Sequence, residues 1–177
     1  MSGLASGDES PWLPPYELDE VRSKVPMVYV EAVPVRLNAD GSVALVGTLL
    51  RITEAGLQRS FVAGRVLYQE TLREALVRHL EKDLGTMALP RLGPSLVPFA
   101  VNEYYPTPGF GLHDARQHAV ALAYVVVLDG DVEPCDDALD FSWFTPEQAT
   151  DPMLHLDLEP GHAALLRRLL VEAGYPA

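Results

Sequence analysis

Five residues in one short segment have the types and spacing that suit binding of a cation or a phosphate group. Glu70 is followed by Arg78, His79, Lys82 and Asp83. Carboxylate oxygens, such as those of Glu70 and Asp83, are the ligands that hard cations like Mg²⁺ prefer. The imidazole of His79 suits a transition metal better, and the ammonium of Lys82 would repel a cation and contact a phosphate. The segment therefore predicts an ion-binding site and leaves open the charge of the ion.

The same segment, residues 64–85, resembles the Nudix box, which reads Gly, five residues, Glu, seven residues, Arg-Glu-aliphatic-x-Glu-Glu-x-Gly-aliphatic. The matching residues are Gly64, Glu70, Arg78, Leu80 and Gly85. Phe61 stands before the box where an aromatic is usual, and residues 139–149 resemble a late strand-to-helix segment of the family. The resemblance extends over residues 27–172. It implies a fold of the α/β class, a Nudix-like α/β/α sandwich with a mixed β-sheet.

The resemblance also implies an activity, a cofactor and site residues. Nudix enzymes cleave a nucleoside diphosphate linked to another moiety and use Mg²⁺ or Mn²⁺, so a small phosphate-containing ligand is expected. Three glutamates of the box usually hold the cations, and here their positions carry His79, Lys82 and Asp83. The implied metal ligands are Glu70, His79 and Asp83. The implied catalytic residues are Glu70, Asp83 and Glu103, since the family often adds an acid from outside the box.

Four further residues are expected to contact the ligand: Gly64, Arg65, Arg51 and Lys82. Arg51 and Arg65 flank the presumed cleft, where a guanidinium can clamp a phosphate. Lys82 also supports a second hypothesis, a binding module that kept the cleft and lost catalysis, in which the ammonium replaces the charge of the metal. A third alternative is a scaffold whose long strands and N-terminal arm form a homodimer.

Helical spacing relates the box residues to the core. Successive residues of a helix turn by about 100°, so the apolar residues of 71–84 cluster on one broad side. His79, Lys82 and Asp83 fall beside that side. Glu81 falls on the opposite, solvent side, so it is not expected to replace a missing metal ligand.

The rest of the chain predicts the elements that position this helix. Runs of apolar and β-branched residues indicate strands over residues 27–37, 42–52, 57–63, 99–105, 118–130 and 139–144. The first two are expected to form a hairpin through a turn at residues 38–41. Thr145 and Pro146 have the pattern of a helix start, and residues 159–173 are predicted to form the last helix.

The N-terminal residues 1–24 are predicted to be an extension, and residues 25–177 the Nudix-like domain. The prolines of residues 11–18 argue against regular helix there, because proline lacks the backbone donor. A short helix is expected only over residues 18–24. Three residues are candidates to pack onto the domain as an arm: Trp12, Leu13 and Tyr16.

The predicted loop at residues 107–114 adds a second polar cluster. His113, Asp114 and the nearby His118 suit a transition metal or acid–base chemistry near neutral pH. Four aromatic residues could stack on a base, although aromatics in strands are more often core: Tyr104, Tyr105, Phe110 and Trp143.

Composition limits the partners that this chain can have. The 177 residues suit one domain, and the net charge of −12 argues against nucleic acid as a main partner, because a phosphate backbone needs a basic surface. Cys135 is the only cysteine, which excludes an internal disulfide and fits a cytoplasmic protein. No apolar run reaches the roughly 18 residues that span a bilayer, so no membrane partner is expected.

Overall fold

The computed structural model describes residues 13–53, 55–135 and 137–176. The strands are β1 (Met27–Leu37), β2 (Val43–Thr53), β3 (Gly56–Ser60), β4 (Val62–Arg65), β5 (Pro90–Arg91), β6 (Ala100–Tyr105), β7 (Leu112–His113), β8 (Ala119–Leu128) and β9 (Ala138–Phe144). The helices are α1 (Pro15–Arg22), α2 (Leu72–Leu84), α3 (Pro146–Ala149), α4 (Pro152–Asp157) and α5 (Pro160–Glu172), with a 3₁₀ turn at Thr86–Ala88.

The strands form one mixed sheet. Its main path runs β3-β2-β1-β8-β6-β7, with β4 paired to β1, β5 to β8 and β9 to β2. The strands β1 and β8 are parallel, whereas β1 pairs antiparallel with both β2 and β4. The expected hairpin of β1 and β2 is thereby confirmed, and β8 lies inside the sheet with neighbours on both sides.

The alternation of side chains along β1 supplies both cores. Val30 and Ala32 face one side of the sheet and pack with the apolar residues of α2. Val33 and Val35 face the other side and pack with α4 and α5. Helices therefore cover both faces of the mixed sheet, which confirms the predicted α/β/α sandwich. Glu31 shares its face with Val33, so its carboxylate lies on the α5 side.

Local signals explain the position of α2. The Thr71 side chain accepts a bond from the Glu74 amide, and the Glu74 carboxylate accepts one from the Thr71 amide, a reciprocal capping box. Gly85 ends the helix with a φ of 82°, which an L residue rarely adopts. The apolar side of the helix is buried and Glu81 is exposed, as the spacing predicts.

Four local expectations are corrected. Helix α1 begins at Pro15, inside the segment expected to be irregular, because proline is tolerated in the first helical turn. The strand expected over residues 57–63 is two strands separated at Phe61. The predicted loop at residues 107–114 contains β7, and α4 was not foreseen. Leu13 and Tyr16 are exposed, while Trp12 lies outside the described residues.

Candidate functional site

Glu70 and Arg78, two residues that match the box, are joined by a two-point contact. Arg78 Nε donates to Glu70 Oε1 at 2.6 Å and Arg78 Nη2 donates to Glu70 Oε2 at 2.7 Å. The Leu67 amide also donates to Glu70 Oε2 at 2.8 Å. The bonds from Arg78 hold the pKa of Glu70 below its ordinary value. Both oxygens of this predicted metal ligand therefore already accept strong hydrogen bonds, which fix the loop before α2.

His79 packs against the backbone of β4. Its Nε2 lies 3.0 Å from the Arg65 carbonyl oxygen, which also accepts a bond from Arg78 Nη2 at 2.9 Å. Because a carbonyl only accepts, Nε2 carries the proton in this contact. Burial lowers the pKa of His79, so the ring is held neutral. The Nε2 atom of His79 is therefore engaged in holding β4 onto α2 and does not face a metal site.

Gly64 lies directly under the His79 ring. A Cβ atom at residue 64 would overlap that ring, so glycine is required by the close approach of β4 and α2. We expect Gly64→Ala to lower the free energy of unfolding by about 1 to 2 kcal/mol through overpacking. Urea denaturation checks this, with Gly64→Ala/His79→Ser as the matched double variant. Equal losses in the single and the double variant would contradict the assigned contact.

The end of α2 carries a cluster of four charged residues, here called the ion-pair cluster: Arg51, Lys82, Asp83 and Asp137. Arg51 Nη2 lies 2.6 Å from Asp83 Oδ2, and Arg51 Nη1 lies 2.5 Å from Asp137 Oδ1. Lys82 Nζ lies 3.8 Å from Asp83 Oδ1. Among the described residues, the cluster thus joins two cations with two carboxylates.

Asp83 is the most buried member of the ion-pair cluster, with 1% of its side chain exposed. Burial raises the pKa of Asp83, although the charges of Arg51 and Lys82 oppose that rise. Its Oδ1 has no hydrogen-bond partner within the described residues. The carboxylate therefore depends on Arg51 for its principal stabilising contact.

The residues at the box do not fit a divalent cation. Asp83 holds a guanidinium with one oxygen and has an ammonium beside the other, and like charges would repel Mg²⁺ or Mn²⁺. Glu70 and His79 are engaged by Arg78 and by the Arg65 carbonyl. Within residues 13–53, 55–135 and 137–176, no group of three or more His, Cys, Asp or Glu side chains is arranged to hold a metal.

A cleft of about 700 Å³ opens on the α5 side of the sheet. Its floor consists of small residues on neighbouring strands: Ala63, Ala119 and Ala121. Its walls carry larger polar residues: Tyr29, Tyr104, Asp114, Gln117 and Glu159. Ala63 immediately precedes the box, and Thr53, which also lines the cleft, lies two residues after Arg51 in β2. None of the four residues of the ion-pair cluster lines the cleft, but the charge of Arg51 acts on His162, which does.

The floor of the cleft contains a buried carboxylate. Glu31, 3% exposed, accepts from Tyr104 Oη at 2.6 Å and from Asn102 Nδ2 at 3.0 Å. His162 Nε2 lies 3.7 Å from Glu31 Oε1. Burial alone would raise the pKa of Glu31, but His162, Tyr104 and Asn102 outweigh it and hold that pKa below its ordinary value. We call these four residues the Glu31 network.

The imidazole of His162 is oriented by the backbone. The Phe61 amide donates to His162 Nδ1 at 3.1 Å, which leaves the proton of a neutral ring on Nε2, facing Glu31. Both ring nitrogens of His162 thus face protein groups, and the ring stabilises the Glu31 carboxylate. Burial and Glu31 also raise the pKa of the Tyr104 hydroxyl, so it remains a donor.

The structure separates several residues that the sequence grouped. Glu103 lies on the opposite face of β6 from Tyr104, is exposed, and accepts a bond from Tyr105 Oη at 3.2 Å. His113 and Asp114 line the cleft, whereas the His118 ring stacks on Tyr105 at 4.7 Å. Trp143 packs edge-on against Phe141 beside the α2 core. The loop cluster therefore does not converge on one point.

Sequence reasoning missed Glu31, Asn102, His162 and Gln117, and it proposed Tyr104 only for stacking on a base. Glu31 left a signal, because it is the one charged residue among the otherwise mostly apolar residues 27–35 of β1, and such a residue is buried only with partners. His162, at the start of α5, left no comparable signal. Its role depends on how α5 lies across β1 and β6, which the sequence pattern does not specify.

Comparison with known proteins identifies the family. The chain belongs to the family described as Domain of unknown function (DUF4916), whose model matches residues 8–175, and its fold is that of the Nudix hydrolases. A crystal structure from Jonesia denitrificans, described as a possible asymmetric diadenosine tetraphosphate hydrolase, is 48% identical. It superposes with a TM-score of 0.82 over 87% of this chain and 98% of its own. No curated protein matches this chain.

More distant structures share the fold alone. The Nudix domain of Shewanella oneidensis NrtR, complexed with ADP-ribose, is 16% identical with a TM-score of 0.57, covering 84% of this chain and 89% of its own. A Francisella tularensis adenylyltransferase/ADP-ribose pyrophosphatase, complexed with AMP and a manganese ion, is 15% identical with a TM-score of 0.58. That match covers 90% of this chain and 46% of the other. In the described part of this chain, no helix is long and apolar enough to cross a membrane.

Proposed function

We propose that this protein is a Nudix-fold module that binds a nucleotide or similar phosphate-bearing ligand in the cleft without a divalent cation. One observation carries the proposal: Arg51 contacts the Asp83 carboxylate at 2.6 Å, at the end of the box helix. In a metal-dependent site this carboxylate would face the cation. Here the guanidinium supplies the positive charge permanently.

Lys82 is the residue expected to contact the phosphate. Its side chain is 49% exposed beside the buried Arg51–Asp83 pair, so its ammonium can contact an anion that extends from the cleft towards that pair. Arg51 would add positive charge beside Lys82, and Arg65 would add positive charge beside Tyr29, its partner across β1 and β4. Gly64 would act through the close packing of β4 on α2. Only 14% of the Arg51 side chain is exposed, so Lys82 is the more accessible cation of the two.

The far part of the cleft suits a different part of the ligand. Its described lining carries the carboxylates of Glu31, Asp114 and Glu159 and the guanidinium of Arg116. A polyphosphate would be repelled there, while a neutral group with hydrogen-bond donors would be accepted. The alanine floor between Tyr29 and Tyr104 leaves room for a flat ring or a sugar. We therefore place the nucleoside part in the cleft and the phosphates towards Lys82.

Calorimetric titration of metal-stripped protein tests the proposal. With ADP-ribose and AMP as probes, we expect binding that a chelator does not change, and no Mn²⁺ binding at millimolar metal. Lys82→Met should weaken ADP-ribose binding about five- to tenfold, which corresponds to about 1 to 1.4 kcal/mol. Lys24→Met is the matched control, since Lys24 is an exposed lysine paired with Glu20. Binding that requires Mn²⁺, or equal losses in both variants, would overturn the proposal.

The hydrolase alternative is favoured by the 48% identical relative described as a possible hydrolase. It requires Glu70, His79 and Asp83 as metal ligands and an added acid such as Glu103. Cleavage of a dinucleoside polyphosphate into two nucleotides that depends on Mg²⁺ or Mn²⁺ and disappears in Asp83→Asn would establish it. If the wild type is inactive and Lys82→Glu hydrolyses the substrate, the cleft is instead a hydrolytic site that Lys82 keeps inactive.

A further inference from the structure

A buried amide connects the N-terminal helix α1 to the wall of the cleft. Gln117 is 2% exposed, and its Oε1 accepts a bond from Arg22 Nε at 3.0 Å. Its Nε2 donates to Tyr29 Oη at 2.9 Å and to Asp114 Oδ2 at 3.0 Å. The amide therefore joins a residue of α1 to two residues that line the cleft.

The chemistry of the partners fixes the orientation of this amide. A guanidinium only donates and a carboxylate only accepts, so Oε1 must face Arg22 and one N–H must face Asp114. Rotating the amide by 180° would oppose donor to donor and acceptor to acceptor. Every polar atom of this buried side chain is then paired, which a buried amide requires. Removal of Arg22 would leave the orientation less restricted.

The oriented amide of Gln117 fixes the position of two groups in the cleft, the Tyr29 hydroxyl and the Asp114 carboxylate. Tyr29 Oη accepts from Gln117, so its own proton can turn either to Gln117 Oε1, at 3.3 Å, or into the cleft. Asp114 holds Arg116 through two bonds of 2.9 Å, to Nε and Nη2. One buried side chain thus places a hydroxyl and a guanidinium on the same wall.

Within the part of the chain that the structure describes, helix α1 has little other attachment to the domain. None of its residues is buried, and only one side of it, including Leu18 and Val21, is half-buried. Arg22 itself is mostly covered and is also held by Asp19 Oδ1 at 3.3 Å. A helix attached in this way contributes little to the core. Its polar contact to Gln117 therefore has a role in shaping the cleft and not in stabilising the fold.

We propose that α1 supports a wall of the ligand site through Gln117, and that Arg22 is a positioning residue. It acts through Gln117 to hold Tyr29 and the Asp114–Arg116 pair where they contact the ligand. This inference rests on the proposed function, because it requires a ligand in the cleft. It assigns a role to the segment before residue 25 that a detachable extension would not have.

The affinity for ADP-ribose in three variants of the full chain tests the role of Arg22. We expect Arg22→Met to weaken binding about tenfold, and Arg22→Lys to recover part of the affinity because an ammonium can still donate to Gln117 Oε1. Tyr29→Phe, which removes one hydroxyl, should also weaken binding. Arg168→Met is the control, since Arg168 is an exposed arginine paired with Glu172 on α5.

Two further measurements distinguish a positioning role of Arg22 from a contribution to the stability of the fold. The urea midpoint of Arg22→Met should stay near that of the Arg168→Met control, while the side-chain amide resonances of Gln117 should shift. If the wild-type protein binds neither ADP-ribose nor AMP, the proposed function fails and the inference fails with it. If the wild type binds and Arg22→Met binds equally well, only the inference is overturned. An affinity loss matched by Arg168→Met would overturn it as well.

Discussion

Replacement of Arg51 by methionine is expected to lower the free energy of unfolding by about 3 to 5 kcal/mol near neutral pH. The guanidinium is the principal partner of Asp83, a carboxylate with 1% of its side chain exposed. Methionine keeps most of the aliphatic stem but leaves a buried charge whose other oxygen has no hydrogen-bond partner among the described residues. Denaturation by urea or guanidinium, followed by circular dichroism, measures the change.

The loss should depend on pH in a defined direction. Burial already raises the pKa of Asp83, and removing Arg51 raises it further. A raised pKa means that the native state binds the proton more tightly than the unfolded chain does. The stability of Arg51→Met should therefore fall as the pH rises from the unfolded-state to the folded-state pKa of Asp83. The variant should lie closest to wild type on the acid side of that window.

A double-mutant cycle separates the ion pair from general packing. Arg51→Met/Asp83→Asn removes the charge that was left uncompensated, so it should regain much of the stability that Arg51→Met loses. Arg168→Met, on an exposed face of α5, should change stability by less than about 0.5 kcal/mol. If the double variant is as unstable as the sum of the two single variants, Arg51 and Asp83 are not coupled as the 2.6 Å contact indicates.

The sequence predicts the elements around the box because their signals are local. The capping residues Thr71 and Glu74 and the terminating Gly85 lie within the element that they define, and β1 is predicted at its observed bounds of Met27 and Leu37. The Nudix resemblance then adds the arrangement of the layers. Predicting such elements does not require knowing which residues that are distant in sequence come into contact.

The contents of the site depend on such distant contacts. Arg51 and Asp83 lie on different elements, and the sequence offers no sign that one neutralises the other. Glu103 and Tyr104 differ by one position in β6, and that one position decides which of them lines the cleft, because side chains alternate between the faces of a strand. The sequence indicated a degenerate metal site, but not that an arginine would occupy its centre.

The network around Glu31 carries the second large prediction: Glu31→Ala should lower the free energy of unfolding by about 3 to 5 kcal/mol. The variant leaves the Tyr104 hydroxyl and the Asn102 amide without their acceptor and opens a small cavity beside His162. Thermal and urea denaturation near neutral pH measure the loss. Glu103→Ala, on the opposite face of the sheet, is the matched control and should have little effect.

The pH dependence identifies the carboxylate as the source of that stability. The pKa of Glu31 is held below its ordinary value, so the ionised form contributes stability that is present above the unfolded-state pKa. That contribution is lost as the pH falls through the folded-state pKa. The difference in the free energy of unfolding between wild type and Glu31→Ala should therefore narrow in acid. If that difference stays constant with pH, the packing of the Glu31 side chain, and not its charge, stabilises the floor of the cleft.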